Sequence, residues 1–312
     1  MFKLKPYCAK AIWGGKNLNL KYGKKGFEEI AEAWELSGYQ GKESIVASGE
    51  FSGKTITEVI NECGTGILGT KATGYDKFPI LIKLINAASP LSIQVHPSDK
   101  NAKELQADGG KTEMWIITDC EEGAFLYFGV REKLTKEKFR DAILDGSITE
   151  YLNKVPVKKG DTFFISAGTI HAIGAGITIC EIQQSSDTTY RLYDYKRKDK
   201  DGNERELHIE KGMIASNLEP VDDFYEKGHM IGNELRLVSC PYFNVGRIEV
   251  NGVASTTVDG ASFAALTVTD GCGYISDGEE KISVFKGDTL FVPANTGKVD
   301  LSGEMTVVKS TL

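Results

Sequence analysis

The chain has 312 residues, 41% of them hydrophobic and 26% charged, which suits one large or two modest domains of a soluble globular protein. Its net charge of -7 argues against non-specific nucleic-acid binding, which needs a basic face, but leaves room for an anionic small substrate. No long apolar run follows Met1, so neither a signal peptide nor a membrane span is expected. The six scattered cysteines form no C-x-x-C pair and read as reduced, mostly buried thiols of a cytoplasmic protein. Any metal must then rely on histidine, carboxylate and amide ligands.

Residues 1–86 are mixed. Trp13-Gly14-Gly15 is a turn. Residues 27–32 are helix formers that run into a strand at 33–37 (AWELS), closed by Gly38. Residues 57–62 predict a short helix with Thr55 or Thr57 as its cap. Residues 79–85 (PILIKLI) read as a buried strand with one embedded cation, Lys83. Such a lysine either snorkels to the surface or projects from the sheet into a polar cavity.

The segment 91–99 (LSIQVHPSD) alternates in period two. Leu91, Ile93 and Val95 point one way; Ser92, Gln94 and His96 point the other. Pro97 ends the ladder because it has no N–H to donate. Asp99 is expected to cap a short helix through 102–106, stopped by Gly109-Gly110. Residues 111–117 (KTEMWII) form the next strand, and 124–128 pair with it as a hairpin across 121–123. Residues 135–145 predict an amphipathic helix with Phe139, Ala142 and Ile143 inside, followed by a short helix at 148–152.

Residues 159–169 (KGDTFFISAGT) repeat at 286–296 (KGDTLFVPANT). Each copy is a Gly-Asp turn, a four-residue strand and a second turn, the pattern of a cupin-type jelly roll. Two residues past the final threonine stands His171 in the first copy and Lys298 in the second, so one barrel keeps a ligand that the other lacks. Residues 177–184 alternate as a strand, a polar turn follows, and an aromatic strand carries Arg191. Residues 196–206 read as a solvated turn between strands, and 217–233 as a linker. The expected fold is mainly β: two cupin-type jelly-roll barrels with a few short helices. Residues 1–230 form the catalytic domain; residues 231–312 form a smaller cupin-like β domain without the ligands.

Gln94, His96, Glu113 and His171 are the candidate ligands. Two imidazoles, a carboxylate and an amide oxygen suit zinc, with Fe(II) or Mn(II) as alternatives. Glu113 reads equally well as a surface carboxylate at a strand start. Of the four histidines, His208 and His229 lie in polar, loop-like contexts and read as surface residues.

Four segments together resemble the short bacterial form of the type I mannose-6-phosphate isomerases: LSIQVHPSD at 91–99, KTEMWII at 111–117, FISAGTIHAIG at 164–174 and SDTTYR at 186–191. Trp13-Gly14 and AWELS at 33–37 are similar to that family as well. The resemblance implies a cupin-fold enzyme with one Zn²⁺ per chain, ligated by Gln94, His96, Glu113 and His171. It implies interconversion of mannose 6-phosphate and fructose 6-phosphate through an enediol. Arg191 matches the family's active-site arginine, with Asp187 in the same motif. Lys111 joins these two as a catalytic candidate, and Lys83, Ser92, Lys111 and Arg191 are the candidates for binding the sugar phosphate. The base stays open between Asp187, Glu113, a neutral Lys111 and a water on the metal. Longer members carry a histidine where this chain has Gly110 and a proline where it has Thr112, so no mechanism using that histidine applies. The chain is expected to be a monomer or weak homo-oligomer. A non-catalytic cupin-type metal or sugar binder is the rival reading, because the fold hosts many functions. A metal-dependent oxygenase is a third, although it should lack a fourth protein ligand such as Gln94.

Overall fold

The computed structural model describes residues 1–199 and 201–312. The chain opens with β1 (Phe2–Lys5), β2 (Tyr7–Ala9), α1 (Asn17–Tyr22), β3 (Glu32–Leu36), β4 (Ile45–Val46) and α2 (Ile56–Cys63). Then come β5 (Ile80–Ala87), β6 (Ile93–Val95), α3 (Asp99–Glu104), β7 (Glu113–Cys120), β8 (Phe125–Val130) and α4 (Lys136–Asp145). They are followed by β9 (Leu152–Pro156), β10 (Thr162–Ile165), β11 (His171–Ile173), β12 (Ile177–Gln184), β13 (Tyr190–Tyr193) and α5 (Ile209–Ala215). The remainder is β14 (His229–Ile231), β15 (Glu234–Ser239), β16 (Asn244–Val258), β17 (Ala264–Ser276), β18 (Lys281–Phe285), β19 (Thr289–Val292) and β20 (Gly297–Thr311).

Three sheets result. A six-stranded sheet runs β10-β7-β12-β5-β3-β2, and a five-stranded sheet runs β13-β6-β11-β8-β9. They share a core in which Trp115, Ile117, Phe163 and Ile179 of the first meet Leu126, Phe128, Val155 and Ile173 of the second. The mainly β, jelly-roll architecture expected from the repeat is what the chain forms. The third sheet has nine strands and closes around its own core of Ile248, Leu266, Val284, Leu290 and Val307. Among the described residues no helix is long and apolar enough to cross a membrane.

Strand alternation explains why the six-stranded sheet reads as near-continuous apolar runs: both of its faces are covered. Ile80, Ile82 and Leu84, with Met114, Ile116 and Ile182, turn away from the five-stranded sheet. They pack against Phe243, Phe263, Phe291 and Val308 of the nine-stranded sheet. On β6, Ile93 and Val95 face outward to Phe139, Ala142 and Ile143 of α4. Gln94 between them must therefore face the inter-sheet space.

Some expectations give way to tertiary constraints. Residues 27–32 are not helical: Glu28 pairs with Lys16 across 2.7 Å, and Ile30 is bridged to Gly15. The helix of this region is α1, whose N-terminal Lys16 makes no side-chain capping bond. Burial of Leu18 and Tyr22 holds it, and Gly23 ends it in the left-handed conformation (φ 66°). The predicted hairpin of 111–117 with 124–128 does not form, because β7 pairs with β10 and β12 while β8 crosses to β11 and β9 in the facing sheet. Ser98, not Asp99, caps α3, since its hydroxyl reaches the Asn101 N–H. The short helix after α4 is a 3-10 turn at Ser147–Tyr151. All six cysteines are free, but only Cys180 is buried, because Cys63 ends α2 and Cys272 lies on an exposed stretch of β17.

The expectations for the helix caps and the repeat hold, while those for 196–206 and 217–233 are met only in part. Thr55 and Glu58 form a capping box on α2, and α4 follows Thr135 as its cap. The two copies of the repeat place β10 and β19 on equivalent residues, each after a glycine at positive φ (Gly160, 94°; Gly287, 98°). Lys298 in the second copy is exposed and pairs with Asp300 at 2.7 Å. The segment 196–206, whose residue 200 lies outside the described residues, returns through the Lys198–Glu204 bridge and leads into α5 rather than a strand. Within 217–233, Val221, Phe224 and Tyr225 pack on the inter-sheet core, and β14 joins the nine-stranded sheet. So does β1, through β19, at the other end of the chain.

Phe263 and Phe291 stack at 5.2 Å where the six- and nine-stranded sheets meet, and both are fully buried. Phe263→Ala should cost about 3–5 kcal/mol, read as a lower urea midpoint. A loss below about 1 kcal/mol would contradict this packing.

Candidate metal centre

Register builds the site. In an antiparallel pair, directly opposed residues share a face. Arg191 lies opposite Gln94, and Gln94 opposite His171, giving one row across three strands of the five-stranded sheet. On the six-stranded sheet, Trp115, Glu181, Lys83 and Trp34 form a second row. Glu113 sits two residues from Trp115 on the same face. His96 follows β6; its carbonyl accepts from the Gly168 N–H at 2.9 Å, and that of Pro97 accepts from the Lys111 N–H at 2.9 Å.

The side chains converge. His96, Glu113 and His171 each offer a ligand atom, and these atoms all lie within 4.8 Å of one another. His171 Nε2 is 3.3 Å from Glu113 Oε1, and His96 Nε2 is 3.6 Å from Glu113 Oε2. The Gln94 amide end is 3.3 Å from His171 Nε2, and turning the amide over places Oε1 there. Ser92 Oγ donates toward Gln94 Oε1 at 3.5 Å. Each imidazole is held from behind: Nδ1–H of His96 donates to the Thr188 carbonyl and that of His171 to the Thr169 carbonyl, both at 2.9 Å. This fixes the tautomers and leaves both Nε2 lone pairs aimed at the centre, as metal-ligating histidines require.

The residues present fit a divalent cation. Both Glu113 oxygens are buried without a hydrogen-bond acceptor's usual partner, and positive charge comes from Lys111 Nζ, 2.6 Å from Oε2. The same ammonium lies 3.1 Å from His96 Nε2. Two imidazole nitrogens, a carboxylate and an amide make a donor set suited to a borderline metal and poor for calcium.

Behind the centre runs a chain of buried charges. Lys111 reaches Glu181 at 3.9 Å; Lys83 reaches Glu181 at 3.9 Å and Glu32 at 3.4 Å. Burial opposes the charge on Lys111, but Glu113 and Glu181 outweigh it and hold its pKa above the usual lysine value. Burial pushes Glu181 up to about 7 against the pull of Lys111. Burial acts in the same direction on Glu32, but Lys83 and the Trp34 N–H overcome it and its pKa falls. Lys83 also lies 4.3 Å from the Trp34 ring centroid.

Of the predicted residues, the structure gathers Gln94, His96, Glu113, His171, Lys111 and Ser92. Glu113 is fully buried, so the surface-carboxylate reading fails. Lys83 does not snorkel; it is 3% exposed and joins the charge chain. Arg191 shares the Gln94 row, with Nη1 donating to the Glu206 carbonyl at 2.7 Å. Asp187 is not gathered: it stands on the rim, bound to Lys42 at 2.6 Å, because its loop turns outward after β12. His208 is not a free surface residue, since its Nδ1 accepts the Arg191 backbone N–H at 3.1 Å; His229 is exposed on β14. Glu181, Glu32 and Trp34 were not singled out from the sequence. Their signal was an acid set inside otherwise apolar strands, in ITICEIQQ and EAWEL. The missing histidine at position 110 has a steric reason: a Cβ on Gly110 would lie 2.6 Å from the Asp99 backbone nitrogen.

Burial pulls the His171 pKa down to about 4, and burial together with Lys111 holds His96 well below its ordinary value. In the metal-free protein, imidazole NMR should show His171 titrating near pH 4. Because the unfolded histidines take up protons first, the metal-free protein should lose stability as pH falls from about 6.5 toward 4, by up to about 1.4 kcal/mol per pH unit and per histidine. Titration of His171 near 6.5 would contradict its burial.

Comparison with known proteins agrees with this geometry. Residues 1–114 match the family model described as phosphomannose isomerase type I, catalytic domain, and residues 233–312 match that of the mannose-6-phosphate isomerase cupin domain. The chain is 36% identical to mannose-6-phosphate isomerase ManA of Bacillus subtilis, over 99% of this chain and 98% of the relative. It is also 36% identical to the mannose-6-phosphate isomerase of Streptococcus mutans, over 96% and 95%. The crystal structure of the mannose 6-phosphate isomerase from Bacillus subtilis superposes with a TM-score of 0.91 at 32% identity, covering 100% of this chain and 99% of that one. A mannose 6-phosphate isomerase solved with zinc and yttrium shares the fold, with a TM-score of 0.81 at 20% identity over 99% and 98% of the two chains. The chain therefore belongs to the type I mannose-6-phosphate isomerases.

Proposed function

We propose that the chain interconverts D-mannose 6-phosphate and D-fructose 6-phosphate at a zinc centre held by Gln94, His96, Glu113 and His171. The observation that carries this reading is the convergence of two oriented imidazoles and a buried carboxylate, beside lysines and an acid that the ligand set does not use. The chemistry falls within residues 1–230; residues 231–312 cover the outer face of the six-stranded sheet and offer no ligand.

Aldose–ketose isomerisation removes a proton from C2, returns it to C1, and exchanges a hydroxyl proton between O1 and O2. Zinc held by Gln94, His96, Glu113 and His171 would supply a Lewis acid to polarise the sugar's carbonyl. Glu181 is the residue we place as the proton carrier. Its Oε2 accepts from Trp115 Nε1 at 2.9 Å, which leaves the buried Oε1 without a hydrogen-bond partner. A carboxyl pushed up to about 7 takes and returns a proton near neutrality. Lys111 stays charged between Glu113 and Glu181, so it acts as a cation against the enediolate oxygen rather than as the base. Glu113 is committed to the centre and Asp187 to Lys42, which removes both as bases. Arg191, with a buried Nε lacking a partner, offers the planar fork that phosphate prefers. Lys83 acts through the buried charge chain, paired with Glu181 and Glu32, and Ser92 through its hydrogen bond toward Gln94.

Two substitutions separate catalysis from binding. His171→Ala should lose both the zinc, measured by elemental analysis, and turnover in a coupled assay with mannose 6-phosphate. Arg191→Ala should keep the zinc and lose about 10²–10³ in kcat/KM. Full turnover in His171→Ala would refute the site, unchanged turnover in Arg191→Ala would remove Arg191 from the catalytic machinery, and a zinc-loaded chain without any turnover would be the non-catalytic binder.

The proton route has its own test. In D₂O, recovered mannose 6-phosphate should carry deuterium at C2, and Glu181→Gln should lower kcat by about 10²–10⁴. Complete absence of label together with an unaffected Glu181→Gln would exclude proton transfer through this carboxyl.

A further inference from the structure

On the far side of β3 from the metal centre lies a second cavity of about 730 Å³, between the N-terminal segment and the nine-stranded sheet. Six lysines line it, Lys3, Lys5, Lys21, Lys24, Lys25 and Lys286; four of them are paired, Lys3 with Asp288, Lys21 with Asp119, Lys24 with Glu35 and Lys286 with Asp270 at 3.5 Å. In a chain of net charge -7, the two lysines left over, Lys5 and Lys25, give this cavity a local excess of positive charge. Solvated surface lysines alone do not account for it, because the cavity is built. Lys24 is its floor: the side chain is 7% exposed, with Nζ 2.7 Å from Glu35 Oε1 and donating to the Gly287 carbonyl at 2.6 Å. Gly287 can approach because it has no Cβ; one would lie 2.6 Å from the Tyr22 carbonyl oxygen. Lys3 is likewise fixed on Asp288 at 2.6 Å. By contrast, Lys5 and Lys25 are exposed and have no ion-pair partner among the described residues.

The walls are apolar. Leu4 and Tyr22 are buried in them, while Leu20 and Phe285 stand 78% and 59% exposed at the rim. Lys3 lies 5.9 Å from the Phe285 ring centroid, and Lys286 lies 4.6 Å from that of Tyr22. A simple inorganic anion would answer the lysines and leave the exposed ring and leucine unexplained. A molecule with a flat apolar body and a polyphosphate tail answers both, and the volume falls within the usual range for such ligands.

We propose that this cavity binds a nucleoside di- or triphosphate, its base against Phe285 and Leu20 and its phosphates among Lys5, Lys25 and Lys286. The site is separate from the metal centre: Glu35, which holds Lys24, points to the opposite side of β3 from Trp34, which meets Lys83.

The test is equilibrium dialysis of the zinc-loaded full chain with labelled ADP at low salt, with magnesium in excess and saturating mannose 6-phosphate present. The proposal expects saturable binding of one ADP per chain and weaker binding of pyrophosphate. Lys5→Glu combined with Lys25→Glu should weaken ADP about tenfold or more, and Phe285→Ser should weaken ADP more than pyrophosphate. Both variants alter exposed side chains and should keep the basal turnover of mannose 6-phosphate. No saturable uptake, displacement by mannose 6-phosphate, or an ADP affinity untouched by the lysine reversals would each overturn the proposal. Pyrophosphate binding as tightly as ADP would overturn the nucleoside assignment.

Discussion

The structure depends on answering the Glu113 carboxylate, which is buried at zero exposure. Burying a lone carboxylate costs several kcal/mol, so the interior must answer it with positive charge. Lys111 does so directly at 2.6 Å, and the demand passes on through Glu181 to Lys83 and from Lys83 to Glu32. Each member lies on a different strand or at a strand's entry, so the alternation of charge holds only in one register. A shift of a single residue would turn Glu181 and Lys83 toward the apolar face that packs on the nine-stranded sheet. The charge chain is thus a constraint on fold as much as on chemistry, and the donors around Glu113 could equally hold a divalent cation.

This division explains the two-sided sheet. One face carries the histidines' partners and the charge chain; the other is mostly apolar, with Glu35 paired to Lys24, and needs cover. The C-terminal strands supply that cover, with Phe243, Phe263 and Phe291 at the contact. The degenerate repeat follows from this role. β19 keeps the strand geometry of β10, while Lys298 has moved to an exposed ion pair. A copy that serves as a packing surface retains its turns and loses its ligands.

Much of the site was legible because period two survives translation into structure. Gln94 and His96 share a face in the sequence and in the fold, and His171 follows the Gly-Asp turn as its repeat implied. The charge chain was not legible. Lys83, Glu181 and Trp34 lie far apart along the chain, and only strand order brings them into one row. Strand order also defeated the hairpin expectation, since a jelly roll sends consecutive strands to opposite sheets. At the N-terminus, weak propensity in α1 was overruled by burial of Leu18 and Tyr22, and good propensity at 27–32 by the bridge from Ile30 to Gly15. Asp187 failed for a local reason: its motif is adjacent to the site in sequence, but its loop faces Lys42.

The central claim is that Gln94, His96, Glu113 and His171 share one metal ion. Anomalous diffraction at the zinc edge, from crystals grown with zinc, tests it most directly. The account predicts a single strong peak about 2.0–2.2 Å from Nε2 of both histidines and from a Glu113 oxygen, with the Gln94 amide oxygen turned toward it and Lys111 displaced toward Glu181. A peak among the cysteines or on surface carboxylates, with Lys111 still seated between Glu113 and His96, would contradict it.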